Sequence, residues 1–133
     1  MKLRLTLILL LLCSSVAARE ADSKARSVAE RAARLIPSGK GLLCVIPKGV
    51  DAPKAVRHLA AGVNSANAQH ESLIIYCPDP ELGKRIITVV FAAFRRDALR
   101  RMTIVCAIGK ENDSYIRAVI EATGAKLYVQ PLP

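Results

Sequence analysis

The chain has no tryptophan, and only two phenylalanines and three tyrosines among 133 residues. A surface that reads single-stranded nucleic acid interleaves basic groups with rings that stack on bases. This scarcity therefore counts against nucleic acid as a partner, despite a formal charge of +9. Histidine is as sparse: His58 and His70 stand alone, at a spacing that matches no standard metal-ligand pair. No metal site is expected. The sequence contains no CxxC pair, GxGxxG turn, GxxxxGK[ST] loop or GxSxG elbow. Thioredoxin-type redox chemistry, dinucleotide binding, P-loop phosphate binding and serine hydrolysis thus lack their usual residues, and no cofactor is implied.

What is present begins with a leader pattern. Lys2 and Arg4 supply a basic start, "LTLILLLLC" an apolar run, and "SSVAA" places Val16 and Ala18 at small-residue cleavage positions. That order predicts a signal peptide over residues 1–18, cleaved after Ala18. The apolar segment is shorter than the ~20 residues a membrane-spanning helix needs. Export to a periplasm or the outside follows as the expectation. Cleavage would remove Lys2 and Arg4 from the charge of +9 and leave a basic domain. It would also leave an odd set of cysteines, Cys44, Cys77 and Cys106. They are expected to serve as small buried apolar residues.

Periodicity gives the fold class. Ala25, Val28, Ala29, Ala32, Ala33 and Ile36 recur on one stripe, so residues 19–36 are expected to form an amphipathic helix. Residues 37–133 then alternate. "GLLCVIP", "SLIIYCP", "TIVCAIG" and "KLYVQ" are short continuous apolar runs, separated by the helical stretches "DAPKAVRHLAAGVNSANAQ", "DPELGKRIITVVFAAFRRDALRRM" and "DSYIRAVIEATGA". Unalternated apolar runs belong to strands buried on both faces, as in a parallel sheet between helices. The prediction is a three-layer α/β/α domain with a four-stranded, mostly parallel sheet. Its layout resembles a minimal flavodoxin-like or half-Rossmann architecture. That resemblance implies an order of 2-1-3-4 for the four runs, with the direction of winding reversing between the first and third.

One phrase occurs twice. "CVIPKGVD" from Cys44 and "CAIGKEND" from Cys106 share Cys, Ile, Lys and Asp at matching places. In the order 2-1-3-4 the two copies would lie side by side at the carboxyl ends of the strands, where open parallel sheets bind ligands. The crest so formed would carry Lys48, Asp51, Asp79, Lys110, Glu111, Asn112 and Asp113. Two ammonium groups beside helix N-termini suggest an anion site. The same phrase is also the ordinary grammar of a strand-to-helix turn, with Asp51, Asp79 and Asp113 as N-caps.

The second expected surface is basic. "FRRDALRRM" holds Arg95, Arg96, Arg100 and Arg101, read as the last turns of a long helix, where cations complement the helix dipole. Nothing in the chain specifies a reaction. The reading is an exported, non-enzymatic binding or accessory protein of the cell envelope, within a secretion or transfer assembly. Its partner would be an envelope protein or an anionic membrane face. A homodimer through the sheet edge is a further expectation. The alternative is a small-anion binder or enzyme using Lys48 and Lys110.

Overall fold

The computed structural model describes residues 4–9, 15–37, 40–109 and 113–133, with side chains for 23–37, 41–109 and 114–133. In chain order the elements are β1 (Arg4–Leu9), α1 (Ser15–Ala33), β2 (Lys40–Val45), α2 (Ala52–Gln69), β3 (Ser72–Tyr76), α3 (Pro80–Ala92), β4 (Thr103–Ala107), α4 (Asp113–Glu121) and β5 (Lys126–Val129). The alternation and the parallel sheet are those expected. β2 to β5 are the four apolar runs, and β1 lies within the expected leader.

Register explains why the middles of β2 to β5 are apolar. Leu42, Leu73, Ile104 and Leu127 align across β2 to β5, as do Cys44, Ile75, Cys106 and Val129. These rows pack under α2, α3 and α4, in a core that includes Leu59, Val63, Ile86, Ile87, Phe91 and Ile120. The intervening rows, such as Leu43, Ile74 and Val105, face the other way. They meet the α1 stripe of Ala25, Val28, Ala29 and Ala32. Small residues on α1 let its backbone lie close to the sheet. Gly62 does the same for α2, where an added Cβ would sit 3.7 Å from the Cys44 side chain.

The strand order corrects the sequence reading. The sheet runs β1-β2-β3-β4-β5, every pair parallel, so the four runs lie in the order 1-2-3-4 rather than 2-1-3-4. The reason is which helix covers which face. An order of 2-1-3-4 with right-handed crossovers would send the helix after the first run to the face opposite the others. α1 already covers that face with its own apolar stripe, and α2 packs beside α3 on the other.

The arginine segment also differs. α3 ends at Ala92, so Arg95, Arg96, Arg100 and Arg101 lie beyond it, in turns. The chain tightens through Phe94 N–H donating to Phe91 O at 3.2 Å. It then passes through Asp97 at φ 64, a left-handed conformation that Asp tolerates. This sends Leu99 into the core, with its N–H donating to Thr123 O at 2.9 Å. Burying one leucine stabilises by about 1.5–3 kcal/mol, more than the few tenths of a kcal/mol that helix propensity gives each added residue.

Gly124 lies against this turn. Its φ is 86, and a Cβ there would stand 3.0 Å from the Arg100 Cα and 3.1 Å from the Asp97 Cα. Gly49 has a similar φ of 83 but open space around it. Gly49→Ala should therefore cost only the left-handed penalty, about 1 kcal/mol. Gly124→Ala should cost at least about 1 kcal/mol more, because two backbone segments must part. Urea unfolding of both variants checks this; equal losses would mean the close approach does not govern the turn.

Candidate functional site

All strands point the same way, so the turns that lead from β2, β3 and β4 into their helices emerge at one rim, the crest. The first turn runs from Ile46 through Pro47, exposed Lys48 and Gly49 to Asp51. Asp51 Oδ2 accepts from Lys54 N–H at 3.1 Å and caps α2. The middle turn runs through Cys77 and Pro78 to Asp79, whose Oδ1 accepts from Leu82 N–H at 3.3 Å and caps α3. In the third turn Gly109 has φ 114, Lys110, Glu111 and Asn112 lie outside the described residues, and Asp113 opens α4 with its side chain outside them.

The repeated phrase therefore meets at one rim but not side by side. Cys44 aligns with Ile75, and Ile75 with Cys106, so two inter-strand steps, about 10 Å, separate the copies. In each copy the Cys and the following Ile do share a face: Cys44, Ile46, Cys106 and Ile108 all belong to the α2–α4 core. The β2-to-β5 connections all pass over that face, so this stretch of crest lacks the reversal that opens a switch-point crevice. The caps matter too. At α2 and α3 a first-turn N–H is already taken by the chain's own carboxylate. An incoming anion would meet negative charge there.

Cys44 and Cys77 are poor nucleophiles near neutral pH. Cys44, Cys77 and Cys106 are buried, and none is in a disulfide. Burial, with the Cys77 thiol adding to it, pushes the Cys44 thiol up to about 12. Burial pushes Cys77 up to about 11, partly offset by a backbone hydrogen bond at Asp79, and the protonated thiol also donates to the Asp79 carbonyl at 3.3 Å. A thiol must ionise to attack or to bind a metal. Among the described residues no group of three or more His, Cys, Asp and Glu could hold a metal ion. His58 is half-buried on α2, and His70 is the C-cap of that helix at φ 55.

The opposite rim, at the amino ends of the strands, carries what the sequence reading placed on a helix. Crossover helices run back antiparallel to the strands, so the last turn of α1 and the segment before β4 reach this end together. Arg31, Arg34, Arg95, Arg96, Arg100, Arg101 and Lys126 are all exposed here. Glu121 is held by Arg117 at 3.0 Å. Beside the arginines, α3 and α4 leave an open cleft of about 600 Å³, lined by Phe91, Phe94, Arg96, Val119, Ala122 and Thr123. Sequence reasoning missed this cleft. Phe94 stands in an apolar run, and the end of α3 at Ala92 leaves it half-buried on the cleft wall.

No protein-family model matches the chain, and neither a curated protein nor a solved structure matches it.

The thiols set an alkaline limit. A thiol whose folded pKa is raised keeps its proton better folded than unfolded. Its stabilising contribution is complete below the ordinary value of 9.0 and is lost as pH rises toward about 11 for Cys77 and about 12 for Cys44. Each adds a slope of up to about 1.4 kcal/mol per pH unit in that window. Cys77→Ala and Cys44→Ala should each flatten the fall in stability above pH 9. Urea titrations at stepped pH check it; unchanged slopes would show that the thiols are not protonated by burial.

Proposed function

We propose that the chain is an exported, non-enzymatic accessory protein of the cell envelope, within a secretion or transfer assembly, that binds an acidic surface through its arginine-bearing rim. The observation that carries this reading is Arg96, which lies at once in the exposed arginine segment and on the wall of the apolar cleft. Charge beside a groove lined by Phe91, Phe94 and Val119 suits an acidic partner that also offers an apolar side chain. Arginine suits it better than lysine, because its planar fork pairs carboxylate or phosphate through two bonds. The reading favours an envelope protein, with an anionic membrane face as the competing surface. No described helix is long and apolar enough to cross a membrane. The basic surface also raises the rate of encounter with acidic partners by long-range attraction.

The small-anion alternative uses the crest, with Lys48 and Lys110. It draws on Lys48 being exposed beside the start of α2. The two readings separate by rim. Arg100→Glu with Arg101→Glu should abolish co-purification of an envelope partner and leave the melting temperature within about 2 °C, since exposed charges contribute little to stability. Lys48→Ala should change neither. Vesicles with and without anionic lipid tell a membrane face from a protein. Retained co-purification after the charge reversal would remove the arginine rim from consideration. A melting temperature raised by inorganic phosphate and lost in Lys48→Ala would favour the crest.

A further inference from the structure

The connection from β1 to β2 has the wrong hand for a strand of this domain. β2, β3, β4 and β5 follow one another across the sheet, and the helices between them all pack on one face. A right-twisted sheet makes such crossovers right-handed in about 98% of cases. The step from β1 to β2 moves across the sheet in the same direction. Its helix, α1, packs on the opposite face, against Leu43, Val45, Ile74, Tyr76 and Val105. The same step over the opposite face is necessarily left-handed. A second observation agrees. The bond after Ala18, where the leader pattern predicts cleavage, lies inside α1. A helical bond is a poor protease substrate, because exposed, irregular backbone is what is nicked.

The two edges of the β2–β5 unit also differ. β5 has the devices that guard an edge: four residues, an exposed Lys126, and Pro131 and Pro133 just beyond. β2 has six residues, Lys40–Val45, no proline, and apolar side chains from Leu42 onward. On that edge lies Arg4–Leu9, "RLTLIL", paired in parallel from Arg4 with Lys40 to Leu9 with Val45.

We infer that Arg4–Leu9 is a detachable strand. It is the chain's own leader, held on the edge of β2, and that edge is a strand-accepting surface for an extended apolar segment running parallel to it. Main-chain pairing gives such an edge its affinity and the apolar alternation its preference. The left-handed connection makes the strand separable from the β2–β5 unit. Folding and processing therefore compete: once α1 and β1 form, the cleavage bond is helical, and once the leader is cut, the β2 edge is open. This rests on reading residues 1–18 as a leader, which N-terminal sequencing of the chain recovered from the envelope tests separately.

Hydrogen–deuterium exchange on the purified full chain tests the detachable strand. Alternate N–H groups of an edge strand face its neighbour, so Thr6→Pro with Leu7→Pro must delete one that pairs with β2. The amides of Leu43 and Val45 alternate with the Ile46 N–H, which donates to Tyr76 O of β3. In this double variant these two should exchange roughly tenfold faster or more, while the β3-facing amides of β2 and those of β3 and β4 keep their protection. The melting temperature should stay within about 2 °C of the parent. A synthetic peptide of residues 2–11 should restore protection of β2 in trans. Faster exchange throughout β3 and β4, or a large fall in melting temperature, would show Arg4–Leu9 to be an integral strand. Unchanged exchange in β2, or a peptide that restores nothing, would show that the edge does not accept it.

Discussion

A parallel sheet buried on both faces leaves little room for polar side chains beyond the first residues of its strands. In β3 every residue from Ser72 to Tyr76 is buried, and alternate residues belong to two separate cores. The rest of the molecule follows from that demand. Helices must cover both faces, polar chemistry is pushed to the two rims, and the cysteines become packing residues. At one rim the carboxylates cap helices, and at the other the arginines stand in water. Function in this protein is a question of rims and edges, because the interior has no room for it.

Much of this was legible in the sequence. Four unalternated runs gave four parallel strands, the alanine stripe gave the buried face of α1, and Asp51 and Asp79 stand as N-caps where the turn grammar put them. What was not legible was non-local. Strand order depends on which helix reaches which face first, and nothing in the periodicity of residues 52–69 says that α1 already occupies the far side. The end of α3 was hidden for a similar reason. The segment 93–102 has the composition of a helix, and only the burial of Leu99 and its hydrogen bond to Thr123 turn it inward.

The candidate site was divided by the same effect. The paired lysine turns were expected to touch because the order 2-1-3-4 would have placed them together. With β3 between them, the strands that lead into these turns lie two steps apart. The arginines were found, but on a helix rather than in an exposed turn beside an apolar cleft. A surface made by the ends of three elements has no signature in any one of them. Residues 4–9, in turn, have the composition expected of a targeting segment and the backbone pairing of an edge strand. A short apolar run satisfies both, because extended backbone and bulky aliphatic side chains serve a sheet edge as well as they serve export.

The account turns on the order of the strands, which sets both rims and the exposed edge. Cross-strand nuclear Overhauser contacts between backbone protons measure it directly. Cys44 should show contacts to the Ile75 neighbourhood, Ile75 to the Cys106 neighbourhood, and Cys44 none to Cys106. Direct backbone contacts between the Cys44 and Cys106 strands would restore the switch-point crest and contradict the account.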